Sequence, residues 1–247
     1  MPYLREVILK RSEVPSFEEY PFNIPAIRAL ESLRFPSPVT VIVGENGSGK
    51  STLLEAIAVL LGFNPEGGTR NFSFSTRASH SSLFEYLRPV RSPRRCRDGF
   101  FLRAESYFNV ATNIEELDRE PANGPPIINS YGGASLHEQS HGESFLALML
   151  ERFGGTGLYI LDEPEAALSP TRQLAVLRRM RELVALNSQF LIATHSPILM
   201  GYPGSTIYQL DAGGFSEVAY TDTEHYAVTK SFLDAPERLL GELFSDE

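Results

Sequence analysis

The five residues Val39 to Val43 are a continuous β-branched run, and after a glycine-rich turn Leu54, Ile57, Ala58 and Leu61 recur at helical spacing. The run predicts a strand buried on both faces of a parallel sheet. The recurrence predicts a helix with one apolar stripe, ended by Gly62. The same alternation returns downstream: a helix over "ESFLALMLERFGG", a buried strand "LYILD", a helix "SPTRQLAVLRRMRELVAL" and a buried strand "QFLIATH". In the second of these helices Ser169 is suited to the N-cap and Pro170 to the first helical position. A last strand is predicted at "STIYQLD", followed by two short helices broken at Pro236. Buried strands alternating with amphipathic helices predict an α/β fold, a mostly parallel sheet covered on both sides.

One section departs from this rhythm. Between Phe72 and Glu105 the runs "SSLFEYLRPV" and "GFFLRAES" are short and β-like, separated by the turn "RSPRRCRD", which predicts a hairpin or small meander. Residues 111–131 are rich in turn formers and predict a surface loop. The expected organisation is one domain over 1–247, with an inserted lobe, β-rich and helical, over about 72–145 and a helical tail over 222–247.

Composition narrows the class. A chain of 247 residues with 42% hydrophobic and 21% charged residues has enough apolar surface to fold around a substantial core. No apolar run reaches the roughly 18 residues needed to span a bilayer, and the first residues lack the apolar centre of a signal peptide. The lone Cys96 excludes an internal disulfide and fits a reducing compartment, so the cytoplasm is the expected location. A net charge of −9 argues against broad adhesion to nucleic acid, although Arg88, Arg91, Arg94, Arg95 and Arg97 concentrate positive charge in one segment. That segment is read as a solvated turn or partner surface in preference to a nucleic-acid contact, because no aromatics interleave it.

The chemistry begins at "GENGSGKS", Gly44-Glu45-Asn46-Gly47-Ser48-Gly49-Lys50-Ser51, followed by Thr52. Gly, four residues, Gly-Lys-Ser between a buried strand and a helix is the phosphate-binding loop pattern. Its backbone N–H groups and the helix N-terminus face the phosphates, Lys50 reaches the outer ones, and the Ser51 hydroxyl is placed for Mg²⁺. Asp162 ends the strand of "LYILDEPEAALS", where a carboxylate holds the same ion, and Glu163 leaves on another face as the candidate general base. His195, in "ATHSP", emerges at the C-terminal edge of the sheet, where ligands bind in open α/β folds, and is assigned a contact to the γ-phosphate.

The segment "HEQSHGES", His137 to Ser144, admits three readings from its letters. Ser140 with His137 or His141 as base would be a hydrolase nucleophile, but it lacks the Gly-x-Ser-x-Gly elbow. His137, Glu138 and His141 spell H-E-x-x-H, which needs a helix and a third ligand to hold zinc. The third reading comes from resemblance. Phosphate loop, "S-x-G-E" before a helix, "LDEPEAALS" and "THSP", in this order, resemble the ATP-binding-cassette superfamily in its broad sense, which includes transporter ATPases and the SMC and RecF-type DNA-repair ATPases. The wording "DEPEAALSP" and "ATHSPIL" is more similar to stand-alone bacterial AAA-type ATPases than to transporter subunits.

The resemblance implies a P-loop NTPase fold with a RecA-like core, and ATP and Mg²⁺ as cofactors. It also implies that Ser140 and the Gly142 backbone contact the γ-phosphate of ATP held by a second copy, hence a head-to-tail ATP-dependent homodimer. His141 and Glu143 depart from the family's Leu-Ser-Gly-Gly-Gln signature. The resemblance further implies a polar residue touching Mg²⁺ at the strand entering the lobe, placed at Glu105. Tyr20 and Phe22 precede the phosphate loop at a distance suited to stacking on adenine. The function expected is Mg²⁺-dependent hydrolysis of ATP to ADP and phosphate, driving dimerisation and a conformational switch in DNA maintenance or defence, with an unidentified protein or nucleic-acid partner. The alternatives are the ATPase subunit of a membrane transporter and a non-hydrolysing ATP-binding module.

Overall fold

The computed structural model describes residues 2–70, 81–104 and 141–245, together with Thr112, Ile114, Glu115, Asp118, Pro126, Ile128, Asn129 and Gly133. Among these residues nine strands form two sheets: β1 (Leu4–Leu9), β2 (Ser32–Arg34), β3 (Val39–Gly44), β4 (Leu87–Arg91), β5 (Asp98–Arg103), β6 (Gly157–Asp162), β7 (Gln189–Ala193), β8 (Thr206–Asp211) and β9 (Gly214–Val218). The larger sheet has the order β5-β6-β7-β3-β8-β9. All its pairings are parallel except β8 with β9, which closes one edge antiparallel. The smaller sheet, β2-β1-β4, is antiparallel throughout.

Every residue of β3, β6 and β7 is buried, as expected of central parallel strands with both faces covered. Their side chains divide by the two-residue period of a strand. Ile42, Leu158, Ile160 and Leu191 face a core built with β1, with α1 (Pro25–Ala29) and with α2 (Lys50–Leu60). Val41, Val43, Tyr159, Leu161, Phe190 and Ile192 face a second core that holds Phe145 of α3 (His141–Ala147) and Val176, Met180 and Leu183 of α4 (Pro170–Ala185). The expected helix after "HGES" is therefore present, and a π-helical turn continues it over Leu148–Arg152. Ser169 caps α4 by accepting from the Arg172 N–H at 3.4 Å, and Pro170 occupies its first turn.

Two side chains lock the outer elements to this frame. Gln189 of β7 accepts from the N–H groups of Tyr3 and Leu4 at 2.7 and 2.9 Å and donates to the Leu4 carbonyl at 2.9 Å, so the small sheet is tied to the large one. Asp98, first residue of edge strand β5, accepts from the Tyr159 hydroxyl at 2.7 Å, the Gly154 N–H at 3.0 Å and Arg152 at 2.9 Å. Tyr159 stacks on Phe153, with ring centroids 4.2 Å apart.

Three expectations are corrected. "SSLFEYLRPV" and "GFFLRAES" do not pair as a hairpin: β4 joins β1 in the small sheet while β5 joins β6 in the large one. Only the end of "SSLFEYLRPV" is a strand, because Ser82–Tyr86 forms a 3-10 helix before β4, and local alternation leaves the partners of both strands open. Residues 98–103 thus belong to the main sheet, and most of the rest of the expected lobe lies outside the described residues. "STIYQLD" is not the last strand, because the turn at Gly213 and Gly214 returns the chain as β9. A short helix α5 (Pro197–Met200) precedes β8, and beyond β9 the tail forms α6 (Glu224–Asp234) and α7 (Pro236–Phe244), with the break before Pro236 as predicted. Neither α6 nor α7 has a buried residue, and Leu233, Leu243 and Phe244 are exposed. Among the described residues no helix is long and apolar enough to cross a membrane.

Candidate active site

The glycine-rich loop links the C-terminal end of β3 to the N-terminus of α2, so the end of a buried strand and the positive end of a helix meet at one point. Gly47 and Gly49 have φ of 78° and 99°, left-handed geometry that a side chain would strain. Lys50 is 4% exposed, and its Nζ donates to the carbonyls of Gly44 and Glu45 at 2.8 and 2.9 Å. Burial lowers its pKa, while Glu163, Asp162 and Glu165 push it back up. Burial outweighs these acids, so the net shift is downward, and the amino group is folded over its own loop.

Ser51 Oγ donates to Asp162 Oδ1 at 3.0 Å. Asp162 is 5% exposed at the end of β6, and its other oxygen lies 3.7 Å from Arg103 at the end of β5. Arg103 in turn pairs with Glu55 of α2 at 2.5 Å. A serine hydroxyl and a carboxylate converging beside a phosphate-loop turn are hard oxygen donors, the set that suits Mg²⁺.

The next residue, Glu163, has φ of 51°, left-handed and rare for a side-chain-bearing residue. This turn swings its carboxylate off the strand, leaving it 41% exposed where Asp162 is buried. Glu163 Oε1 stands 3.8 Å from His195 Nε2, a nitrogen that is buried and makes no hydrogen bond. His195 follows β7, and its backbone N–H donates to Glu165 at 2.5 Å while Thr194 donates to the other oxygen of the same carboxylate at 2.7 Å. Ser196 donates to Gln173 at 2.5 Å and accepts from the N–H groups of Ile198 and Leu199, fixing the turn beyond the histidine. Phosphate loop, Asp162, Glu163 and His195 are thus brought to one edge of the sheet, as their spacing predicts.

The other expected site residues fare differently. Glu45, Asn46, Gly47 and Ser48 line a cavity of about 410 Å³ with Asp211 and His225. Asn46, Lys50, Ser51, Thr52 and Glu163 line another of about 290 Å³ with Tyr20. Tyr20 is 64% exposed beside the loop, whereas Phe22 is buried edge-on against Tyr86 and is not available to stack on a ligand. Gly142 packs against the Ala167 carbonyl and Arg172, and Glu143 pairs with Arg172 at 3.2 Å. Ser140, Glu105, His137 and Glu138 lie outside the described residues, as does the His141 side chain. Among the described residues no group of three His, Cys, Asp or Glu forms a metal cluster.

Four residues at this edge escape sequence reasoning: Arg103, Glu165, Gln173 and His225. Each acts through a partner far along the chain, and His225 Nε2 meets His195 Nδ1 at 2.9 Å across 30 residues. Only the Thr223 cap, which predicts the start of α6, hints that His225 is held in place.

Comparison with known proteins adds to this geometry. An AAA-domain family model matches residues 22–113, and a second AAA-domain model, whose description names an AbiEii toxin of a type IV toxin–antitoxin system, matches residues 132–201. An uncharacterized ABC transporter ATP-binding protein of Haemophilus influenzae is 27% identical over 198 residues, 70% of this chain and 70% of that protein. The cytochrome c biogenesis ATP-binding export protein CcmA of Rhodopseudomonas palustris is 30% identical over 173 residues, 64% of this chain and 78% of that protein. DNA repair protein RAD50 of Drosophila melanogaster is 41% identical over 71 residues, which are 28% of this chain and 5% of that protein. Among solved structures, an ATP-binding cassette of an ABC transporter has a TM-score of 0.56 at 18% identity, covering 93% of this chain and 99% of that one, a likeness of fold.

Proposed function

The chain belongs to the ATP-binding cassette superfamily of P-loop ATPases, and from that premise we propose how its residues divide the work of ATP hydrolysis. The backbone of Gly44 to Ser51 and the N-terminus of α2 wrap the phosphates, with Thr52 in the first turn of the helix. Lys50 turns from its own loop carbonyls to the β- and γ-phosphates. Ser51 and Asp162 hold Mg²⁺, and Arg103 keeps the Asp162 carboxylate aimed. When bound, Mg²⁺ neutralises charge developing on the phosphate oxygens. Glu163 orients the attacking water and takes its proton, and the products are ADP and phosphate. His195 donates Nε2–H to the γ-phosphate, an assignment its buried, unpartnered Nε2 supports. Tyr20 stacks on adenine.

The single observation that carries this reading is the convergence of Ser51, Asp162, Glu163 and His195 beside the loop. The test is turnover with purified protein. Glu163→Gln is expected to bind ATP and fail to hydrolyse it, and Lys50→Ala to lose nucleotide binding. Wild-type turnover by Glu163→Gln would remove Glu163 as the base.

The output of the cycle is an ATP-dependent head-to-tail homodimer in which Ser140 and Gly142 of one copy meet the γ-phosphate held by the other. Membership of the family supports this reading; within one copy Gly142, at the N-terminal turn of α3, is buried against the Ala167 carbonyl and Arg172. We place the work driven in DNA maintenance or defence, which the family descriptions and the RAD50 stretch favour. The names of the H. influenzae and R. palustris relatives favour a second reading, the ATPase subunit of a membrane transporter. A pull-down with ATP-locked Glu163→Gln protein separates them: nucleic acid or a maintenance protein supports the first, and a hydrophobic membrane protein the second.

A further inference from the structure

We infer that His225, on helix α6 of the tail, is a positioning residue for His195, so that hydrolysis depends on the tail staying docked. The inference rests on the role proposed above for His195. His225 Nε2 lies 2.9 Å from His195 Nδ1, with ring centroids 5.1 Å apart. The segment leading to it is fastened to the turn after His195, because the Tyr220 hydroxyl donates to the Pro197 carbonyl at 2.9 Å. Thr223, fully buried, donates to the Tyr220 carbonyl at 2.8 Å and caps α6 through the Tyr226 N–H.

Only one proton fits between the two facing nitrogens, so two neutral arrangements compete. If His195 carried it on Nδ1, its bare Nε2 lone pair would face the Glu163 carboxylate at 3.8 Å. If His225 donates from Nε2, His195 is protonated on Nε2 instead. That N–H then points to the side where Glu163 and the phosphate loop converge. The second arrangement replaces a repulsion with an attraction, and hydrogen bonding at one ring nitrogen is what selects the proton on the other. His225 thus sets both the tautomer and the ring orientation of His195.

The test is steady-state ATPase activity of His225→Leu, His225→Gln and His195→Ala, with ATP affinity and Tm measured on each. His225→Leu should lower kcat about tenfold with KM little changed, the scale of one lost hydrogen bond. His225→Gln, which keeps an N–H at similar reach, should restore most of the rate, and His195→Ala should show no added loss when combined with His225→Leu. Full activity of His225→Leu, or an additive loss in the double variant, overturns the inference. Wild-type turnover by His195→Ala removes the role on which it rests, a distinct failure. Nitrogen-15 shifts of the wild-type imidazoles give a readout that needs no variant: a proton on His195 Nδ1 would overturn the inference.

A separate observation carries a second inference. A cavity of about 410 Å³ opens near the start of β6, lined by Arg70, Arg91, Arg94 and Arg95 with Tyr3 and Leu158. Leu158 is four residues from Asp162, roughly 13 Å along the strand, so the cavity lies toward the opposite edge of the sheet from the phosphate loop. Among the described residues no carboxylate lines it and none of these four guanidiniums has an ion-pair partner, although the chain carries a net charge of −9. Arg70 is held by the Phe63 ring and by Cys96 Sγ at 3.1 Å. Arg91 reaches the Leu60 carbonyl at 3.5 Å, and all four arginines are exposed to solvent. Guanidiniums gathered at a concave site of ligand size recognise phosphate bidentately, and no aromatic among the described residues there lies open for base stacking on a nucleic-acid strand. We propose a site for a small molecule bearing two or more phosphates. Calorimetry with inorganic tripolyphosphate on Lys50→Ala protein should find a site that Arg91→Ala/Arg95→Ala weakens at least tenfold. Unchanged binding in that variant overturns the proposal, as does an arginine-dependent affinity for single-stranded oligonucleotide without any for tripolyphosphate.

Discussion

Ser51 Oγ and Asp162 Oδ1 lie 3.0 Å apart, although 111 residues separate them. Asp162 ends β6, and Ser51 lies in the first turn of α2, the helix that follows β3; β7 runs between the two strands. The parallel register therefore places both strand ends on a single edge, where the glycine-rich loop also opens.

Glu163→Gln is expected to lower kcat by roughly 10² to 10⁴-fold, the range supplied by a positioned general base. ATP affinity should remain, because Lys50, Ser51 and Asp162 are untouched. Single-turnover assays with radiolabelled ATP measure the loss, and size-exclusion chromatography with ATP measures the dimer fraction, which should rise.

Glu165→Ala should loosen the turn that carries His195. The carboxylate accepts from the His195 N–H and the Thr194 hydroxyl, and a part-buried donor left without its partner costs about 1 to 3 kcal/mol. A Tm lower by a few degrees, together with reduced kcat, is the expected pair of results, and Glu165→Gln should fall between the variant and the wild type. An unchanged kcat would show that the clamp is dispensable.

Asp98 predicts an acid limb in stability. Burial raises its pKa, but hydrogen bonds from Tyr159 and the Gly154 N–H, with the Arg152 cation, outweigh this and leave it below the usual carboxylate value of 3.8. A depressed folded value means that the unfolded chain binds the proton more readily. The contribution is therefore complete above about pH 4 and disappears as pH falls through the folded value. Asp98→Asn should flatten that part of the stability curve in denaturant titrations between pH 5 and pH 2.

Gly142→Ala would set a methyl group 2.6 Å from the Ala167 carbonyl and 2.4 Å from Arg172. Arginine can move, and the backbone carbonyl cannot without shifting the segment after Glu163. Overpacking of this kind costs about 1 to 3 kcal/mol. Thermal melts should register it, and a fall in ATP-dependent dimer greater than the fall in Tm explains would tie the position to assembly.

Much of the site is legible in the order of the amino acids alone, because local rules write it. The glycines at Gly47 and Gly49 are needed for left-handed φ, the β-branched run of β3 signals burial on both faces, and Ser169 and Pro170 mark a helix start by capping chemistry alone. Asp162 and His195 can be read because each ends an apolar run, and strand ends in a parallel sheet face one edge. Which strands pair is a different kind of information. Nothing in "SSLFEYLRPV" or "GFFLRAES" records that one adds to β1 and the other to β6, since alternation specifies a face and leaves the neighbour free. The same holds for Arg103 beside Asp162, Glu165 under His195 and His225 against its ring. Each of these contacts joins segments whose local patterns are independent, and only the packing of the sheets and the return of the tail past the C-terminal end of β7 brings their charges and protons within hydrogen-bonding distance.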